Sequence, residues 1–210
     1  HYDVGNEFYQ LWLDPGMTYS SALFGEGDDL HRAQARKNQR ILSQLAPGES
    51  LLEIGCGWGG FAEAAADHGH DVTAITLSPS QKGYADARLD GRAEVRLQDY
   101  RQVTGSFDNI VSIEMIEAVG ERYWPTYFAT LKACLAPGGR AVLQAITVPA
   151  NYLVQAWLLN PGAWAWAGLP EVDLTFLRIL PGAPQSVEVA VAAVAQLALP
   201  TLVYEEPLLA

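Results

Sequence analysis

Basic side chains are scarce in this chain. Its 210 residues carry 13 Lys and Arg against 24 Asp and Glu, a formal charge of -11. So acidic a chain lacks the surplus of cations that phosphate neutralisation requires, which excludes general nucleic-acid binding. Cysteine is scarcer. The two present, Cys56 and Cys134, cannot staple a small disulfide fold and have no metal-ligand spacing, so they read as reduced, buried thiols of a cytoplasmic protein. The four histidines also lack ligand spacing, so no metal site is expected, and His31, His68 and His70 read as surface residues. From Ala141 to Pro170 charge is missing altogether: no Asp, Glu, Lys or Arg occurs there. Such a length raises the question of a membrane span. Its first residues alternate like a strand, however, and Asn160-Pro161-Gly162 interrupts the remainder, which argues against an unbroken spanning helix. A chain that opens at His1 without a signal peptide and stops after "PLLA" reads as part of a longer protein.

What is present suits one domain with a sizeable core, since half of the residues are hydrophobic. One local exception to the acidity is "HRAQARKNQR", residues 31–40, with four of the thirteen basic side chains and no acid. It reads either as a solvated helix face or as a contact with an anionic surface such as phospholipid headgroups.

The elements alternate. Residues 28–45 suit a helix, "LLEI" a buried strand, "FAEAAADHG" a helix ending at Gly69, and "DVTAITL" a second strand. Ser78 is a good N-cap with Pro79 at the first helical position, opening "SQKGYADARL" as a helix. "AEVRLQD" and "FDNIVSI" read as the third and fourth strands. A helix beginning near Glu121 comes next, stopped by "APGG", and "RAVLQAI" is the fifth strand. Further on, "SVEVAVAAVAQLAL" suggests a helix and "TLVYEE" a strand returning to the sheet. This order predicts an α/β, Rossmann-like fold: a mostly parallel central sheet with helices on both faces and a ligand crevice beyond the strand carboxyl ends.

In "EIGCGWGG", residues 53–60, Gly55, Gly57 and Gly60 fit a dinucleotide loop. That loop needs an acid near the end of the second strand to grip ribose hydroxyls, yet "AITLSPSQ" has none: Asp71 stands at the strand's start and Asp86 inside the next helix. A ligand with an amino acid and a sulfonium cation in place of phosphate suits bare glycine backbone and the carboxylate of Glu53 better, and S-adenosylmethionine is such a ligand. Asp99 and Tyr100, at the end of the third strand, offer a carboxylate for an adenine amino group and an aromatic wall for its ring.

Four segments in order, "HYDVGNEFYQLWLDPGMTYSSALF", "LLEIGCGWGG", "ITLSPSQ" and "FDNIVSIEMIEAVGERYW", resemble the cyclopropane-fatty-acid synthase family, which includes the mycolic acid cyclopropane synthases. The resemblance covers residues 1 to about 147 and resumes weakly at "ILPGAPQS". It implies a class I methyltransferase fold, with residues 1–45 as an N-terminal helical lid segment, 46–147 as the cofactor-binding core, and 148–210 as the substrate-side and C-terminal segment. It also implies S-adenosylmethionine as methyl donor and an unsaturated acyl chain as acceptor, usually within a phospholipid, with peripheral contact at the inner membrane surface. Tyr19, Ser20, Gly55, Gly57, Thr76, Gln81 and Tyr100 stand where the family lines its donor site.

Family members are thought to hold a bicarbonate as the base that removes a proton before ring closure. By motif position Glu117 matches one of its holders, Ser21 stands where the family has Cys, and Gln144 where it has His. Ser and Gln can still bond an oxyanion, so bicarbonate stays open, and methylation of the chain is better supported than ring formation. Trp58, Tyr123 and Trp124 are aromatic neighbours for a chain cation, or core. "NYLVQAWLLNPGAWAWAGLP" suits an acyl tunnel wall, a segment in the headgroup zone, or plain core. Two rival readings remain: a small-molecule methyltransferase on this scaffold, and a lipid- or donor-binding module without turnover.

Overall fold

A computed structural model describes residues 5–147, 173–179 and 202–205. The elements in chain order are α1 (Asn6–Gln10), α2 (Leu30–Leu42), β1 (Ser50–Ile54), α3 (Gly60–Asp67), β2 (Asp71–Thr76), α4 (Pro79–Leu89), β3 (Glu94–Leu97), β4 (Phe107–Ile113), α5 (Ile116–Val119), α6 (Trp124–Cys134), β5 (Leu135–Thr147), β6 (Asp173–Ile179) and β7 (Leu202–Glu205). They build one seven-stranded sheet in the order β3-β2-β1-β4-β5-β6-β7. The first five strands are parallel, whereas β6 and β7 run antiparallel to their neighbours.

The first four strands lie where the hydrophobic runs place them, because the central ones are buried on both faces and read as almost unbroken apolar segments. Leu51, Leu52, Ile54, Ile110 and Val111 are sealed from solvent. Two apolar clusters flank the sheet. Phe128, Leu131 and Tyr127 of α6 pack on one face with Leu52 and Ile110. Phe61 and Ala65 of α3 and Ala85 and Leu89 of α4 pack on the other with Leu51 and Val111. Side-chain bonds set where the central strands begin: Asp108 Oδ2 accepts from the Ser50 N–H (3.0 Å) and Ser50 Oγ (2.8 Å). Buried Asn109 exchanges two bonds with the Ala46 backbone.

Three boundaries differ from the sequence expectation. α2 runs from Leu30 to Leu42, capped by Asp29, whose side chain accepts from the Arg32 N–H. α6 starts at Trp124 because Pro125 suits a first turn, and a 3₁₀ turn occupies Glu121–Tyr123. "APGG" does not separate α6 from β5: strand pairing begins at Leu135, and the register slips between Phe107↔Leu135 and Asn109↔Arg140. β6 has no counterpart in the expected element order, and the helix expected over "SVEVAVAAVAQLAL" lies outside the described residues. Among those described, no helix is long and apolar enough to cross a membrane.

Candidate active site

β1 ends at Ile54, and the chain turns through Gly55 (φ 82°) and Gly57 (φ 55°) before α3. Both conformations lie in the left-handed region that side chains disfavour. A Cβ on Gly55 would also run into the Met115 thioether. The N–H groups of Gly55 and Cys56 both donate to Ile75 O (2.9 and 3.0 Å), which ties the turn to β2. Above the turn a cavity of about 380 Å³ opens at the carboxyl ends of β1, β2 and β4, where open α/β sheets bind ligands.

Eight of the sequence-derived donor residues line this cavity: Tyr19, Ser20, Glu53, Gly55, Gly57, Thr76, Gln81 and Tyr100. Glu53 is buried, and its Oε2 has no hydrogen-bond partner among the described residues. Burial pushes its carboxyl up to about 8, against the opposing pull of Lys37 and the Ala62 N–H. An orphan acceptor lining a cavity fits an ammonium group. Across the mouth, Thr76 Oγ1 donates to Gln81 Oε1 (2.9 Å), so the Gln81 amide hydrogens are the donors left for a ligand. The half-buried Tyr100 ring is held edge-on to Tyr127 at 5.2 Å and forms an aromatic wall.

Asp99 is placed differently from the expectation. Its carboxylate caps the 3₁₀ turn at the Arg101 N–H (2.9 Å) and pairs with the Arg101 guanidinium (2.5 Å), and it does not line the cavity. The Arg101 pairing holds its carboxyl below the usual range.

The N-terminal segment covers the turn. Trp58 is 1% exposed, donates through Nε1 to Asn6 Oδ1 (2.7 Å) and packs on Tyr9. Arg88 on α4 donates to Gly16 O, Trp58 O and Pro15 O, stapling segment and turn together. Of the three aromatics singled out, Trp58 lines the cavity, whereas Trp124 packs against the core and Tyr123 is exposed.

At the far wall the arrangement is new. Glu114 directly follows β4 with φ 51°, a left-handed conformation rare for glutamate, and it lines the cavity. Its Oε1 accepts from the Ser21 N–H (2.8 Å) and from Gln144 Nε2 (3.0 Å). Gln144 also donates to Ser21 O (3.3 Å), and its own Oε1 has no partner among the described residues. Ser21 and Gln144 thus converge on Glu114, whereas Glu117, three residues on and in the first turn of α5, is exposed and does not line the cavity. The sequence signal for Glu114 was its position at a strand carboxyl end.

The basic run divides. Arg36 pairs with Asp28 (2.9 Å) and His31 with Asp14 (3.2 Å), each with its basic side chain exposed. Lys37 is 0% exposed, on the buried stripe of α2 with Ala33 and Ile41, and donates to Ser20 Oγ at 2.6 Å. Its position four residues from each of those apolar neighbours was the signal that it faces inward. Among the described residues no cluster of His, Cys, Asp or Glu could hold a metal ion.

A five-stranded parallel sheet with antiparallel strands beyond it, a glycine turn after β1 and a cavity over that turn define a class I methyltransferase fold. Within that class the chain belongs to the mycolic acid cyclopropane synthetase family, which it matches over residues 1–167. It is 40% identical over 198 residues to the tuberculostearic acid methyltransferase UfaA1 of Mycobacterium tuberculosis, covering 83% of this chain and 46% of that protein. It is 41% identical over 150 residues to the cyclopropane-fatty-acyl-phospholipid synthase of Escherichia coli, covering 70% of this chain and 39% of that one. The structure of mycolic acid cyclopropane synthase CmaA1 complexed with SAH and CTAB superposes with a TM-score of 0.67 at 28% identity, covering 81% of this chain and 59% of that chain. The chain therefore spans less than half the length of these two curated relatives.

Proposed function

We propose that the chain is the catalytic part of an S-adenosylmethionine-dependent methyltransferase that adds a carbon to the double bond of an unsaturated fatty acyl chain. The observation that carries this reading is the cavity over the glycine turn, lined by a buried carboxylate with an orphan oxygen at one wall and a second, hydrogen-bonded carboxylate at the other. Glu53 would hold the donor's amino group, Ser20 and Gln81 its carboxylate and ribose, and Tyr100 its adenine ring. Bound there, S-adenosylmethionine supplies an electrophilic methyl carbon.

The protein's task is then to exclude water and take up a proton. Trp58, packed on the Tyr9 ring, closes the turn side of the cavity, and its indole face can support positive charge on the methylated chain. Glu114 is the proton acceptor in this reading. The Ser21 N–H and Gln144 amide, which would hold an external oxyanion, instead hold this endogenous carboxylate. An internal base makes bicarbonate dispensable: once a 1,2-hydride shift has moved the cation onto the methyl-bearing carbon, Glu114 takes a proton either from the methyl, leaving a methylene branch, or from the neighbouring chain carbon, leaving a methyl-branched alkene.

The relatives' names speak of fatty acyl and phospholipid substrates, and exposed Phe8, Leu11 and Trp12 beside Tyr19 at the cavity mouth suit peripheral contact with a bilayer from which the acyl chain is drawn. The test is incubation with methyl-labelled donor and dioleoyl phospholipid vesicles. The expected product is an acyl chain heavier by one carbon, with olefinic proton signals identifying a methylene branch. Labelled donor consumed only with small-molecule acceptors would refute the assignment.

A further inference from the structure

Lys37 is a costly residue to keep. It sits between Ala33 and Ile41, all three at 0% exposure, on the stripe of α2 that faces the body of the protein. A methionine would fill the same space without removing an ammonium group from water, a transfer that is strongly unfavourable even after relaxation. Burial pulls its pKa down to about 8, while the charges of Glu114, Asp14 and Glu53 work to keep it protonated. At neutral pH it therefore remains an ammonium, a group with three donors and no acceptor.

That one-sidedness has a consequence at Ser20. Lys37 Nζ approaches Ser20 Oγ at 2.6 Å, so the serine oxygen accepts there. The Ser20 carbonyl is taken from the same helix by Gln34 Nε2 (2.7 Å). Ser20 is thus gripped at its carbonyl and its side-chain oxygen by α2, which leaves its hydroxyl hydrogen to point elsewhere. Ser20 also lines the cavity.

We propose that Lys37 is a positioning residue: by donating to Ser20 Oγ from beneath the cavity, it obliges the Ser20 hydroxyl to donate into the cavity, toward the carboxylate of an amino-acid-bearing ligand. The same ammonium offsets the cavity carboxylate of Glu114, which would otherwise repel an incoming anion. The inference rests on the donor reading above, deepens it by assigning the ligand's anionic end, and gives a role to a residue that never touches the ligand.

The test is calorimetric affinity for two probes, S-adenosylmethionine and its decarboxylated form, measured on wild type, Lys37→Met, Ser20→Ala and the double variant. Loss of a charge-assisted hydrogen bond corresponds to about tenfold to a hundredfold in affinity. Lys37→Met is expected to weaken the carboxylate-bearing probe by that factor and the decarboxylated probe by less than about twofold. Ser20→Ala should do the same, and the double variant should be no worse than either single one, because both act on one contact. Should Lys37→Met fail to fold, Ser20→Ala and Lys37→Gln, which retains a donor, carry the test; the glutamine is expected to recover part of the preference. An equal loss for both probes would show that Lys37 only packs, and additive losses would show that it does not act through Ser20; either overturns the proposal. Wild type that binds neither probe would instead refute the donor assignment itself.

Discussion

Glu114 offers the sharpest perturbation. Glu114→Gln keeps the side-chain shape and an oxygen for the Ser21 N–H and Gln144 Nε2, now at 2.8 and 3.0 Å, but removes the negative charge and the ability to take a proton. Two charge-assisted bonds become neutral ones, a loss of about 1 kcal/mol each, so the fold should survive with Tm lowered by several degrees. The catalytic loss is larger, because a positioned general base contributes about a hundredfold to ten-thousandfold. The assay follows methyl-labelled donor into the lipid and analyses the product by mass. The expected outcome is a fall of at least about a hundredfold in methylene or methyl product, with capture of the chain cation by water appearing as a hydroxylated product. Glu114→Ala leaves space for a small external oxyanion, and added bicarbonate or formate should restore part of the rate. Wild type should be indifferent to bicarbonate removal. If Glu114→Gln retained activity within about threefold of wild type while Glu117→Gln lost a hundredfold, the reasoning would fail and the base would be Glu117.

Glu53 makes stability depend on pH. Its folded pKa is raised to about 8, so between its ordinary value of 4.5 and 8 the folded protein holds a proton that the unfolded chain has released. Its stabilising contribution is therefore complete below the ordinary value and is lost as pH rises through about 8. Thermal unfolding of Glu53→Gln from pH 5 to 8 is expected to show a flatter decline than wild type, and calorimetry in buffers of different ionisation enthalpy should show proton release when a donor ammonium binds wild type near pH 7. Ile110, at 0% exposure in the middle of β4, should cost about 2–5 kcal/mol on truncation to alanine, read as a lower urea midpoint at unchanged m. Ser78→Ala removes the cap that accepts from the Gln81 N–H and should cost about 1 kcal/mol. Because Gln81 lines the cavity, the same variant should also weaken donor affinity.

The parallel core was legible because its causes are local. "LLEI" and "FDNIVSI" are short apolar runs between turn residues, Ser78-Pro79 starts a helix whatever lies around it, and a glycine turn after a strand needs only its own backbone to be recognised. The two residues missed, Glu114 and Lys37, owe their roles to geometry that no local pattern carries. Glu114 enters the cavity because the chain leaves β4 through a left-handed residue, which turns that side chain inward, whereas Glu117 in the first turn of α5 is exposed and does not line it. Lys37 looked like part of a basic surface because charge was counted along the sequence; counted around the helix, it shares a stripe with Ala33 and Ile41. Both departures break a local rule, an L-residue at positive φ and a cation in an apolar stripe; Glu114 lines the cavity and Lys37 reaches its wall through Ser20. Violations that are scattered suggest tolerated strain, whereas violations that converge on a single pocket indicate that the pocket is what the strain serves.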